Sequence, residues 1–325
     1  MRLAFLYFIE VRPMTRAFHQ AVFVAATLSA LGPPVVAQSP AVDEFKAQRA
    51  LFNYNATVPL GVSEKGMEKR EGATVRDVTF DALTGKSLAA YIVTPEGNGP
   101  FAAVLWVHWL GEPATTNRTE FLNEATKLAS QGIVSVLVDT MWSTAVNPDW
   151  FGKRVPEEDY ANSIKQVVTL RRGMDLLMSQ PNIDKARVGV VGHDFGGMYS
   201  MMMAGVDQRA KTYVYVAVVP SLNDWAFLGP QPKSKTDYLR QNAPLELTDY
   251  LRQVKNATTF LQFGNKDVFI SRVDTGIIAR AAGIPQKEIA THRKFYDVDH
   301  GMNLPEVVAD RDAWLLKELS LQPAR

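Results

Sequence analysis

From about Thr74 onward, short β-rich runs alternate with longer segments whose apolar positions recur at helical spacing. That pattern predicts an α/β sheet, largely parallel, with helices between its strands. The runs "VRDVTFDA" and "SLAAYIVTP" flank the turn-like Leu83-Thr84-Gly85-Lys86 and read as an opening hairpin. "AAVLWVH" is a buried strand, Asn117 to Ser130 a helix, "IVSVLVD" a strand, and Tyr160 to Ser179 a long amphipathic helix stopped by Pro181. "ARVGVVG" follows, then a Gly-lined turn, a Met-rich helix and the strand "TYVYVAVV". Residues 221–243, with Gly229-Pro230-Gln231-Pro232 inside, break the alternation and are expected to form a small lid. A helix from Leu245 to Val254, the strand "ATTFLQFG", a helix from Ser271 to Ala282, "RKFYDV" and an amphipathic helix from Pro305 to Leu319 close the series. The expectation is thus a sheet of about eight strands with no internal repeat. Met198, Met201, Met202 and Met203 are expected to pack in the core behind the turn.

The first residues follow another pattern. Met14-Thr15-Arg16 precedes the apolar stretch Ala21 to Leu31 and then Gly32-Pro33-Pro34-Val35-Val36-Ala37, which reads as a secretory signal peptide over residues 1–37. Residues 1–13 would be an upstream extension of it, 38–73 an N-terminal extension of the folded part, and 74–325 the main domain. A periplasmic or secreted location is the corresponding expectation. The apolar stretch falls short of the ~20 residues that cross a bilayer, so no stable membrane span is expected after processing.

Composition adds exclusions more than assignments. With 46% hydrophobic and 21% charged residues the chain can bury a substantial core. The formal net charge of +1 becomes −1 when residues 1–37, with three arginines and one glutamate, are removed. Such a balance supplies no field to attract nucleic acid, and the expected partner is a small-molecule substrate. The chain has no cysteine, which excludes disulfides, thiolate nucleophiles and Cys-based zinc sites. Neither a metal nor an organic cofactor is expected.

The chemistry concentrates at "GVVGHDFGGMY". A helix that starts directly after a strand at a tight, Gly-lined turn holds its first side chain beside unpaired backbone N–H groups and the positive end of the helix dipole. Asp194 occupies that tip, and as an ionised, solvent-accessible carboxylate it would be favoured there. It could also be a plain helix N-cap. The glycines do not make G-x-G-x-x-G, which argues against a dinucleotide turn.

A catalytic Asp194 needs an imidazole, and the chain has five histidines. His19 leaves with the signal peptide, His292 falls at the opposite end of a parallel sheet, and His193 adjoins Asp194 inside the turn and should point elsewhere. His300, in "YDVDHGMN", follows the last strand at the carboxyl edge where open α/β sheets bind ligands, and is the expected base. Asp267, in "FLQFGNKDVF", is the expected orienting acid, with Asp224 as its rival. Asp299 adjoins His300 too closely to approach it well. The order nucleophile, acid, histidine is the one this architecture uses.

The order of elements together with "GHDFGG", "GNKD" and "DHG" resembles the α/β-hydrolase superfamily over about Thr74 to Leu319. The opening hairpin, the modest insertion and "VHWLGEPATTNRTEF" are similar to the dienelactone-hydrolase-like group. The elbow itself looks more like those of haloalkane dehalogenases and epoxide hydrolases, whose nucleophile is Asp. The resemblance implies Asp194 as nucleophile, His300 as base and Asp267 as acid. It also implies an oxyanion hole from the N–H of Phe195 plus that of Trp109 or Leu110, with His108 shaping the loop. Trp109, Trp142 and Trp225 fall on the loop side of strands as candidate pocket walls. Tyr238 and Tyr250 are the tyrosines available as lid acids of the epoxide-hydrolase kind. Phe195 departs from the Trp that usually follows the nucleophile in haloalkane dehalogenases, and the arginines of haloacetate dehalogenases are missing. The expected activity is hydrolysis of a small apolar substrate through a covalent alkyl ester on Asp194. The alternatives are a dienelactone-hydrolase-like ester or lactone hydrolase and a non-catalytic binding protein on the same scaffold.

Overall fold

Nine strands form one sheet in the order β1-β2-β3-β5-β4-β6-β7-β8-β9 in a computed structural model that describes residues 42–319. The described residues fall within a single unit, Ser39–Arg325. The expected signal peptide, residues 1–37, lies outside them.

The strands are β1 (Ser63–Arg70), β2 (Ala73–Asp81), β3 (Ser87–Pro95), β4 (Phe101–Val107), β5 (Ile133–Val138), β6 (Ile183–His193), β7 (Thr212–Val216), β8 (Thr258–Gly264) and β9 (Arg293–Tyr296). Between and around them run α1 (Val42–Ala50), α2 (Leu122–Ala129), α3 (Trp150–Lys153), α4 (Asp159–Met178), α5 (Phe195–Val206) and α6 (Asn223–Ala226). The series ends with α7 (Lys235–Asn242), α8 (Leu247–Leu251), α9 (Arg272–Ala281), α10 (Ile289–His292) and α11 (Pro305–Glu318). From β5 to β9 every pairing is parallel, while β1, β2 and β3 are antiparallel to their neighbours. This is the mixed sheet that the α/β pattern predicts, with one strand more than the eight expected.

The additional strand is β1, in the segment read as an N-terminal extension. Its sequence "SEKGMEKR" is exposed along nearly its whole length, so hydrophobic periodicity carries no trace of it. Charged residues are a common means of protecting an open edge from pairing with another chain. The same segment is fastened to the body, for the Phe45 and Phe52 rings pack edge-on against Tyr250 at 5.5 and 5.6 Å. Arg172 also donates to the carbonyls of Val58 and Pro59.

The central strands separate two cores with the period of two that a pleated strand imposes. In β4, Ala103, Leu105 and Val107 join one apolar cluster while Ala102, Val104 and Trp106 join the other. The first cluster holds residues of α4, α5 and α8, including Met198, Met201, Met202 and Met203 as expected; the second holds residues of α2 and α11. Helix α2 is shorter than expected because residues 117–121 form turns. Residues 221–243 contain α6 and α7. Among the described residues no helix is long and apolar enough to cross a membrane. Since β4, β6, β8 and β9 run in one direction, the loops after Val107, His193, Gly264 and Tyr296 meet at one edge of the sheet.

Candidate active site

Asp194 sits between β6 and α5 with φ 51° and ψ −119°. A non-glycine residue rarely adopts positive φ, and such strain persists only where the surroundings impose it. Here the imposition comes from close approach. A Cβ at Gly192 would stand 2.6 Å from the Gly196 carbonyl oxygen, and one at Gly196 would run into the carbonyls of Val107 and His108. The two glycines let α5 start directly against the ends of β4 and β6. The Asp194 side chain accepts no hydrogen bond from the first turn of α5, so it does not act as an N-cap.

Its two oxygens have different environments. Oδ2 accepts the backbone N–H of Leu110 at 3.1 Å. Oδ1 is buried without a hydrogen-bond partner and lies 3.5 Å from Nε2 of His300, an ion-pair contact longer than a well-formed hydrogen bond. On the other side of the imidazole, Nδ1 of His300 and Oδ2 of Asp267 are 2.7 Å apart. The second oxygen of Asp267 accepts from the N–H groups of Phe269 and Ile270. Burial by itself would push the His300 imidazole down, but the Asp194 and Asp267 carboxylates outweigh it and hold it up to about 10.

The structure brings Asp194, His300 and Asp267 together and leaves the rival acid aside. Asp224 is half-buried on α6, where burial raises its carboxyl above the usual range, and the Asp299 carboxylate turns to the N–H of Gly301. Of the two candidate oxyanion donors, the Leu110 N–H faces Asp194. The Trp109 N–H instead goes to Oε2 of Glu120 at 2.7 Å. The Phe195 N–H opens α5, where a helix leaves its donors without internal partners. His108 shapes this loop as expected, with Nδ1 on the Trp109 carbonyl and Nε2 on the Thr140 hydroxyl; burial pushes its imidazole down.

Three expectations need correction. Asp194 is fully buried where solvent access was expected; beside it the rings of Phe195, Trp225, Phe269 and His300 pack together at 5.1 to 5.8 Å. Trp142 is no pocket wall, being fully buried with its indole N–H on the carbonyls of His108 and Trp109. Tyr238 is not placed beside His300. Its hydroxyl donates to Asp159 at 2.8 Å, and it lines a separate cavity that reaches the elbow at Phe195. Tyr250 is likewise committed, to the Pro244 carbonyl. Trp109, Leu110, Trp225 and His300 do line one open cavity of about 510 Å³, with Val268 and Phe269 exposed at its wall.

Glu120 was not singled out in the sequence. It lies in "NRTEF", where a polar residue at the expected start of a helix gives no signal of function. The His193 ring nitrogens engage Glu120 and the backbone carbonyl of His300 rather than the Asp194 carboxylate, and its ring centroid lies 6.0 Å from that of His300. Its ring stacks on that of Trp109 at 4.9 Å and 9°. Among the described residues no group of three or more His, Asp or Glu side chains could hold a metal ion.

No family model matches the chain. It is 23% identical over 169 residues to YtaP of Bacillus subtilis (strain 168), a protein named as a hydrolase. That match covers 48% of this chain and 56% of YtaP, so the chain spans little more than half the length of the curated relative it matches. In shape it is similar to the acetyl xylan esterase from Paenibacillus sp. R4, with a TM-score of 0.67, 18% identity, and 84% of this chain and 93% of that one covered. Acetyl xylan esterase 1 from Thermoanaerobacterium sp. JW/SL YS485 superposes with a TM-score of 0.65 at 15% identity, covering 87% and 95%. A Klebsiella pneumoniae protein named for dienelactone hydrolase gives 0.52 at 15% identity, covering 81% and 100%. The likeness is one of fold: the chain has the α/β-hydrolase fold.

Proposed function

We propose that the protein is an exported hydrolase that attacks a small apolar substrate with Asp194 and passes through a covalent alkyl ester. The observation that carries this reading is the split environment of Asp194, with Oδ2 held by the Leu110 N–H and Oδ1 unpartnered beside His300. In the first step Oδ1 bonds to an sp3 carbon, and the bond from that carbon to its halide or epoxide oxygen breaks, the electron pair leaving with that atom. In the second step a water attacks Cγ of Asp194 while Nε2 of His300 takes its proton. Negative charge then develops on Oδ2, the oxygen already bound by the Leu110 N–H. The tetrahedral centre collapses, the alkoxide takes the proton back from His300, and Asp194, left as the carboxylic acid, gives its remaining proton to His300, which regenerates the carboxylate.

The raised basicity of His300 fits this sequence. Ester formation removes the charge of Asp194, one of the two carboxylates that stabilise the imidazolium, so the ring gives its proton to solvent more readily when it must become a base. Asp267 orients the ring throughout. Residues 221–243 serve as the lid, with Trp225 in the cavity wall.

An ester or lactone hydrolase is the second reading, favoured by the names of the shape neighbours, which are esterases and a dienelactone hydrolase. Carboxylate attack on an acyl carbon would give a reactive mixed anhydride, whereas attack on sp3 carbon gives an ordinary ester. Single-turnover hydrolysis in ¹⁸O water, followed by mass spectrometry of the peptide carrying Asp194, tests the choice. Label in Asp194 supports the alkyl ester, and label confined to product during a confirmed first turnover refutes it.

A further inference from the structure

His193 adjoins the nucleophile, yet both of its ring nitrogens are engaged elsewhere. Nδ1 lies 2.6 Å from Oε1 of Glu120, and Nε2 lies 3.0 Å from the backbone carbonyl oxygen of His300. The other oxygen of Glu120 accepts the Trp109 N–H, and the Trp109 ring stacks on His193. Two side chains thus connect the residue before Leu110 with the backbone of the base itself. The Glu120 and His193 side chains are 13% and 3% exposed, so solvent competes little for these bonds.

A ring whose two nitrogens both face acceptors satisfies them by donating from both, which an imidazolium does and a neutral ring does not. We propose that Glu120 and His193 form a positioning pair, with His193 held as an imidazolium, that locks the Leu110 N–H and the His300 imidazole into one rigid unit. This rests on the roles proposed above for Leu110 and His300. The pair acts through geometry. Glu120 and His193 line a cavity of about 450 Å³ that is distinct from the one lined by His300 and Trp225, the two sharing Gly301 and Asn303 in their linings. Neither is therefore a lining residue of the reaction cavity. The second step needs both positioned groups together, while the first needs only the carboxylate. Loss of the pair should slow hydrolysis of the adduct and spare its formation.

Glu120→Ala and Glu120→Gln in the full-length protein separate positioning from charge. Glu120→Ala is expected to slow adduct hydrolysis about 100-fold, the effect of a displacement on the order of 1 Å, and to leave adduct formation near its parent rate. In Glu120→Gln the carboxamide oxygen accepts from Trp109 and its NH₂ donates to Nδ1 of a neutral His193, whose Nε2–H still reaches His300. That variant is expected to recover most of the loss. Nitrogen-15 spectra of the histidine rings should show His193 protonated at both nitrogens in the parent and at Nε2 alone in Glu120→Gln. Parent-like hydrolysis in Glu120→Ala, a Glu120→Gln variant as slow as Glu120→Ala, or a singly protonated His193 in the parent would each overturn the proposal. Label confined to product in the single-turnover ¹⁸O experiment would sink the covalent reading alone. The ring-nitrogen spectra need no substrate and still decide the pair.

Discussion

Oδ2 of Asp194 lies 3.1 Å from the backbone N–H of Leu110, across 84 residues of sequence. In the mechanism proposed above, Asp194 thus already has one oxygen at the donor that would bind the charge of the second step, and its Oδ1 has no hydrogen-bond partner. A carboxylate held this way needs little reorganisation between the two steps.

Asp194→Asn should lower turnover by at least about 10³-fold, as loss of a covalent nucleophile does in comparable hydrolases. It should also lower the basicity of His300, because one of the two carboxylates that raise it is gone. An NMR titration of the His300 ring in parent and variant checks this. The stability consequence has a definite sign. A histidine raised from 6.5 to about 10 on folding contributes stability fully present below pH 6.5, which is lost as pH climbs through about 10. Thermal melts of the parent should fall more steeply over that window than those of Asp194→Asn.

His300→Gln should leave the first step working and stop the second. With a substrate that the parent turns over, the peptide carrying Asp194 should gain the mass of the substrate's alkyl group. A variant that binds substrate and accumulates no adduct would count against His300 as the base.

Asp267→Asn should cost roughly 10³-fold in turnover, since the 2.7 Å contact that orients His300 would be made by an uncharged group. Asp224→Asn, at a residue with no contact to His300, should stay within about twofold. Steady-state rates for the two variants, measured side by side, test the assignment of the acid.

Gly196→Ala should destabilise the fold by about 2–3 kcal/mol, because its Cβ would run into the carbonyls of Val107 and His108. Gly66→Ala on β1, whose Cβ would meet Asp77 at 4.0 Å, should change stability by less than about 0.5 kcal/mol. Denaturant unfolding of both variants measures the difference.

Much of the site was legible because its signals are local. The strand, the glycines and the carboxylate of the elbow occupy eleven consecutive residues, 189–199. His300 could be selected by elimination from few histidines and its place after the last strand. Strand β1 escaped notice because both of its faces meet solvent. The assignments that changed are those in which residue type and position along a strand say nothing of side-chain direction. Trp142 and Trp225 both follow strands, yet one is sealed beneath the Leu110 loop and the other lines the cavity. Glu120 carried no signal, since its partners Trp109, His193 and, through His193, His300 lie far apart in the chain.

The sequence by itself determined the order of elements, the parallel arrangement of the central strands and the presence of Asp where the chain turns from β6 into α5. These depend on periodicity and backbone freedom, which operate within a few residues. Only the tertiary structure decided which N–H faces Asp194, which carboxylate holds His300, and that Asp194 is buried. Those outcomes depend on where loops from four strands meet, and on aromatic rings from the 221–243 insertion and the loop after β8 that pack beside them. A distance set by packing between remote segments leaves no pattern in the residues that make it.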